Sequence, residues 1–181
     1  MIQLWSIFGD VVPLFLVIVL VVVPLSIWYF HNKKAGWKQW CKKIALSLTM
    51  IAILLITIFP LYYSPEQPRV LNLIPFVGMY NLVFYSVDIT VPIRNILFNI
   101  LLFVPFGFFL SWNKSRRIIV TGLLFSLLIE VLQYVFPIGR SADIDDVILN
   151  TLGTFLGVVL WKVSTKYKDQ WRGLHNEKDT A

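Results

Sequence analysis

Five apolar runs dominate the chain and leave it one kind of fold. They cover residues 11–30, 44–63, 93–112, 118–136 and 147–163. A membrane-spanning helix needs about 20 mostly apolar residues, and each run approaches that length. Within lipid, every backbone N–H and C=O must find its partner inside the segment, so isolated runs of this kind form helices. The expected fold is all-α: a polytopic membrane bundle of five transmembrane helices forming one domain. Composition agrees, because only 14% of the 181 residues are charged, against about a quarter in soluble domains. The first run has Asp10 ahead of it, no basic leader and no small-residue cleavage site, so it reads as a retained helix rather than a signal peptide.

The basic residues choose the topology. Lys33, Lys34, Lys38, Lys42 and Lys43 lie between the first two runs, and Lys114, Arg116 and Arg117 follow the third. Lys162, Lys166, Lys168, Arg172 and Lys178 lie at or beyond the end of the fifth. Five spans put these thirteen residues on one side and leave Arg69, Arg94 and Arg140 on the other. The positive-inside rule makes the rich side cytoplasmic, with the N-terminus outside and the C-terminus inside. Basic residues in short loops beside apolar runs suit the bilayer and its anionic headgroups, not nucleic acid. The lone Cys41, in the lysine-rich loop, cannot form an intrachain disulfide.

Residues 70–87 are apolar enough to suggest a sixth span. Asn72, Pro75, Gly78 and Asn81 make that span poor, and counting it would invert every later loop. The expectation is an outer interfacial or re-entrant segment, with Phe76, Tyr80, Phe84 and Tyr85 at headgroup level, or else a loop lying on the bundle. The chain then divides into a first helix and basic loop (1–43), a membrane domain of four helices with an interfacial segment at 64–92 (44–163), and a polar tail (164–181). The tail lacks apolar periodicity and is expected to fray or be disordered.

Most of the acidic charge outside the tail sits in residues 126–157, which join a glutamate-bearing apolar run to a loop with Arg140, Asp143, Asp145 and Asp146. A helix rises about 1.5 Å per residue, which places Asn99, Glu130 and Asn150 at one depth, roughly 9 Å below the outer surface. Three polar side chains at one level on three helices should converge inside the bundle. Gln133 and Tyr134 share a face with Glu130, and Asn95 precedes Asn99 by one turn beside Arg94. Asp143, Asp146, Asn150, Gly153 and Gly157 form a single stripe, whose glycines allow close helix approach. Pro105, followed by Gly107, is expected to kink the third helix toward the polar layer.

Two accounts of these residues stand side by side. In one, the amides and carboxyl only tie helices together and the aspartates cap a helix. In the other, Asn99, Glu130 and Asn150 floor an outer pocket rimmed by Arg94, Arg140, Asp143, Asp145 and Asp146. An ionisable group inside a membrane is a functional candidate. Desolvation would raise the Glu130 pKa unless Arg94 or Arg140 pairs with it, which makes Glu130 a candidate acid or base, with Asp146 beside it. No cofactor is expected, although Asp143, Asp145 and Asp146 offer the oxygen ligands that a divalent cation prefers. His31 and His175 lie on the other side of the membrane, and the chain has no G-x-S-x-G or phosphate-loop sequence.

The ordered motifs resemble those of the VanZ-like membrane proteins of bacteria. They are Asn72-Leu-Ile-Pro75-Phe76, then Arg94-Asn95-x3-Asn99-Ile-Leu-Leu-Phe103-x-Pro105-Phe-Gly107. After them come Glu130-x2-Gln133, Arg140-x2-Asp143-x-Asp145-Asp146-x3-Asn150 and Gly153-x3-Gly157. The match covers about residues 44–163 and leaves out the first helix and the tail. The resemblance implies an integral membrane protein of a Gram-positive cell, and a link to tolerance of teicoplanin-type glycopeptides. It supplies a phenotype and no reaction.

Four functions therefore compete: binding of an envelope lipid or lipophilic glycopeptide at the outer leaflet, modification of such a lipid, transport, and a purely structural bundle. The candidate binding residues are Asn72, Arg94, Asn95, Asn99, Gln133, Arg140, Asp143, Asp145 and Asn150. Transport has least support, since no inverted repeat is visible and the polar layer does not continue to the cytoplasmic side. Oligomeric state is left open by the sequence.

Overall fold

All five runs form helices long and apolar enough to cross a membrane. The computed structural model describes residues 11–31, 36–58, 70–112, 117–136 and 141–178. The long helices are α1 (Val11–His31), α2 (Trp37–Ile58), α4 (Thr90–Ser111), α5 (Ile118–Val135) and α6 (Ile144–Lys178). Between α2 and α4 lie a two-residue strand, β1 (Leu71–Asn72), and a short helix, α3 (Val77–Tyr85); β2 (Ala142–Asp143) precedes α6. The chain is an all-α membrane bundle, and α3 accounts for the ambiguous segment. Nine residues rise only about 14 Å, far short of a span. Phe76, Tyr80, Phe84 and Tyr85 are all exposed on it.

Two boundaries differ from the sequence reading. Helix α2 starts at Trp37, so Cys41, Lys42 and Lys43 lie on a helix and not in a loop. Lysine and glutamine are good helix formers, and a lysine stem can lie on apolar surface while its ammonium stays wet. Helix α6 continues to Lys178, through the tail expected to fray. Extending an existing helix needs no new nucleus, and this tail is rich in lysine and other helix-compatible residues.

Lipid is as apolar as leucine, so helices in it associate by close packing rather than by hiding from water. The closest pair is α4 with α6. A Cβ at Gly153 would strike the Ile100 carbonyl, and one at Gly157 would strike that of Val104. Gly107 of α4 returns the contact against the backbone of Thr154, which is fully buried. Helix α5 packs on the other flank of α6. Ile53 of α2, Phe103 and Phe106 of α4 and Ile129 of α5 form the buried core, with the Phe106 and Phe125 rings stacked 5.2 Å apart. Pro105 stays within the helical span of α4, exposed on a groove that α4 shares with α1 and α2.

Candidate functional site

The site forms where α4 begins, α5 ends and α6 begins. Strands β1 and β2 pair in parallel there, with Leu71 opposite Ala142 and Asn72 opposite Asp143. Asn72 occupies its side chain twice. Its Nδ2 donates to Asp143 Oδ1 at 3.0 Å, while its Oδ1 accepts the Ile74 N–H at 3.3 Å and turns the chain into Pro75. The sequence Asn72-Leu-Ile-Pro75-Phe76 is thus a turn fastened to the start of α6.

Asp145 does something the sequence did not suggest. Helix α3 begins after Phe76, which sits in the left-handed region at φ 68° and offers no capping side chain. The first backbone N–H groups of any helix lack partners within it. Asp145 supplies them from 69 residues away: its Oδ1 accepts from Phe76 N–H and its Oδ2 from Met79 N–H. A carboxylate there also opposes the positive end of the helix dipole. Asp145 is only 2% exposed, so the cap is internal. Gly78 makes room for it, because a Cβ there would meet Asp143 Oδ2, would lie 2.8 Å from Asn72 Nδ2 and 3.0 Å from Asp145 Oδ2.

The other two carboxylates bind other elements. Asp146 Oδ1 accepts from Asn99 Nδ2 at 2.6 Å, which joins α6 to α4. Glu130, buried in α5, accepts the Asp143 N–H on its Oε2 at 2.9 Å. A turn deeper, Asn150 Nδ2 donates to Ser126 Oγ at 2.8 Å, and nearer the end of α5 Gln133 Nε2 donates to the Thr57 carbonyl of α2 at 2.9 Å. The amide oxygens of these two side chains, Asn150 Oδ1 and Gln133 Oε1, are buried without a hydrogen-bond partner.

Asn99, Glu130 and Asn150, which the depth count set at one level, bond Asp146, the Asp143 N–H and Ser126 respectively. Each takes a separate partner along the same helix junction. Arg94 bonds locally, at the start of its own helix: it donates to the Thr90 carbonyl and hydroxyl, and lies 3.8 Å from Asp88. Thr90, through its backbone N–H first and its hydroxyl second, holds the Asp88 carboxyl below its ordinary range. Asn95 is exposed. Arg140 lies outside the described residues. The aspartates diverge toward β1, α3 and α4, and no set of three His, Cys, Asp or Glu is placed to hold a metal among the described residues.

The junction does contain a space. A groove of about 250 Å³ opens between α5, β1 and the start of α6. Glu130, Asn72 and Asp143 line it, with apolar walls from Leu127, Val131 and Val147. Asp146, Asn99 and Asn150 do not border it. Sequence reasoning had Tyr134, which also lines the groove, on the Glu130 face, but missed the aliphatic walls and the roles of Ser126, Thr57 and Gly78. Ser126 was within reach, since it precedes Glu130 by one turn on the face that meets α6.

These contacts give much of the ordered motifs a common purpose: Asn72, Asn99, Glu130, Asp143, Asp145, Asp146 and Asn150 each take part in a bond that fastens another element to β2 or α6, whereas Arg94 and Gln133 bond elsewhere. A family model described as VanZ/LLP1 matches residues 46–165. The chain belongs to this VanZ/LLP1 family. Protein VanZ of Enterococcus faecium is 32% identical over 134 residues, which cover 69% of this chain and 76% of that protein. No solved structure matches the chain. The VanZ match begins within α2, so α1 and the first turns of α2 lie ahead of it.

Proposed function

We propose that this VanZ-family protein holds the apolar tail of an amphiphile in the groove between α5, β1 and α6. The amphiphile is an envelope lipid or a lipid-tailed glycopeptide, and its capture contributes to tolerance of teicoplanin-type drugs. The carrying observation is the groove itself, almost wholly apolar at its surface, with Leu127, Val131 and Val147 among its walls and the polar residues Glu130, Asn72 and Asp143 also lining it. An apolar pocket with a few convergent polar groups is what a tail with a polar head requires. The positive-inside rule puts this end of the bundle at the outer leaflet, opposite the basic loops. The reading needs no reaction.

Filling the groove tests it. Leu127→Trp and Val131→Trp, expressed at matched levels in cells without their own copy, should lose teicoplanin tolerance while keeping wild-type thermal stability. Full tolerance with the groove filled would sink the proposal. A second reading, a bundle whose polar groups only lock helices, is favoured by the fact that each aspartate carboxylate accepts from another segment. It makes the tryptophan variants silent and has Asp146→Ala lower stability and tolerance together.

A further inference from the structure

A second groove lies at the opposite, basic end of the bundle and takes no part in the site above. Its mouth, about 230 Å³, is lined by Gln39, Lys42 and Lys43 of α2 and by Phe109 and Trp112 at the end of α4. Phe109 also lines a deeper space of about 420 Å³, walled by Phe15 of α1, Ala45, Thr49 and Ala52 of α2, and Pro105 of α4. With Phe109 as a shared wall, the two spaces line up as a candidate track, charged at the mouth and apolar below.

We infer that this track holds one anionic phospholipid of the leaflet that the basic loops face. Three observations carry the inference. The first is length. Gln39 to Ala52 is thirteen residues of helix, about 20 Å, which matches a headgroup plus the ~15 Å hydrocarbon depth of one leaflet.

The second is charge. Lys42 sits 4.9 Å from the Trp112 ring centre, and this cation–π contact holds its ammonium at the mouth. Lys43 lies one residue on. No Asp or Glu occurs between Asp10 and Glu66, or between Asp88 and Glu130, so neither α2 nor the loop after α4 has a carboxylate of its own to neutralise the lysines. Among the described residues, neither lysine is in an ion pair.

The third is the apolar part. Small side chains at Ala45, Thr49 and Ala52 leave the space open, and the Thr49 hydroxyl is used up by the Ala45 carbonyl at 2.8 Å. Nothing on that wall asks for a polar occupant. Trp112 and Trp161, with rings 5.2 Å apart, mark the level of the membrane interface at the mouth.

Native mass spectrometry of the full chain in detergent micelles tests this, with phosphatidylglycerol and phosphatidylcholine as competing probes. One phosphatidylglycerol should be retained, preferred about thirtyfold, the scale expected of two lysines near an anionic headgroup at about 1 kcal/mol each. Lys42→Gln with Lys43→Gln should bring the two lipids to parity, and Thr49→Trp should reduce retention of both. Because the bulky variant can misfold, the wild-type protein is also irradiated with phosphatidylglycerol carrying a diazirine in its acyl chain. Adducts on α2 and α4 between Ala45 and Phe109 are expected. Unchanged preference in the lysine double variant, adducts confined to other helices, or a lipid-free dimer sealed along this face would each overturn the inference.

Discussion

Asp145 accepts the backbone N–H of Met79 at 2.8 Å, although the two residues are 66 positions apart. An acid on the last membrane helix thus completes the first turn of α3, a helix that offers no side-chain cap of its own. Asp145→Ala leaves two N–H groups of that turn without acceptors. Losing a cap costs about 0.5–2 kcal/mol and stranding a buried donor about 1–3, so a loss near 2 kcal/mol is expected. Asp145→Asn keeps one acceptor and should lose less. Thermal unfolding in micelles, followed by circular dichroism, measures both; a wild-type midpoint for Asp145→Ala would show that the cap carries no stability.

Gly78 is expected to be as sensitive as the carboxylate it faces. Even one methyl group there must displace Asn72, Asp143 or Asp145, whose positions are fixed by one another. Gly78→Ala should destabilise by about 1–3 kcal/mol, the usual cost of overpacking. Gly36→Ala is the matched control, because nothing lies within 4 Å of a Cβ there. Equal midpoints for the two variants would contradict the crowding at Gly78.

How much of this the sequence disclosed follows from which interactions are local. The spans were readable because length and apolarity alone decide them, and Gly153 and Gly157 were readable because their spacing marks a helix face. Asp145 was not, since its partners are backbone groups of Phe76 and Met79, which no side-chain pattern encodes. Arg94, expected on the rim at the mouth of the helix, has the local partners Thr90 and Asp88, which its spacing from them would have allowed but which sequence reasoning did not consider. Asn99 and Glu130 belonged at the junction, but equal depth did not say which neighbour each would take. The late end of α6 escaped notice because Lys166, Lys168 and their polar neighbours suit a helix without giving it an apolar stripe.

The Asn99–Asp146 bond should be measurable as a coupling. Single changes Asn99→Ala and Asp146→Ala each remove one partner, and the double change removes both. Interhelical hydrogen bonds in membrane proteins are worth about 0.6–2 kcal/mol, which sets the interaction energy expected from the cycle. Strict additivity would mean that the 2.6 Å contact contributes nothing beyond its separate parts.

Asp88 gives a pH dependence with a definite sign. Its folded carboxyl titrates below the ordinary value of 3.8, chiefly because it accepts the Thr90 N–H. The stabilisation is therefore complete above 3.8 and disappears as pH falls through the lower, folded value. The difference in midpoint between wild type and Asp88→Asn should be flat above that pH and shrink below it. A difference that grows on acidification would reverse the assignment.

Orientation follows from the basic residues and is tested by labelling. With Cys41 replaced by serine, a single cysteine is placed at Ser141, ahead of β2, or at Ser164, toward the far end of α6. Both positions are exposed. Ser141 precedes the last span and Ser164 lies near its far end, and by the positive-inside rule the lysines around Ser164 are expected to put that end in the cytoplasm. A membrane-impermeant maleimide added to intact cells should label Ser141→Cys at once and reach Ser164→Cys only after permeabilisation. The reverse pattern would put the groove at Glu130 on the cytoplasmic side, where an external glycopeptide could not reach it, and would remove the basis for a role in drug tolerance.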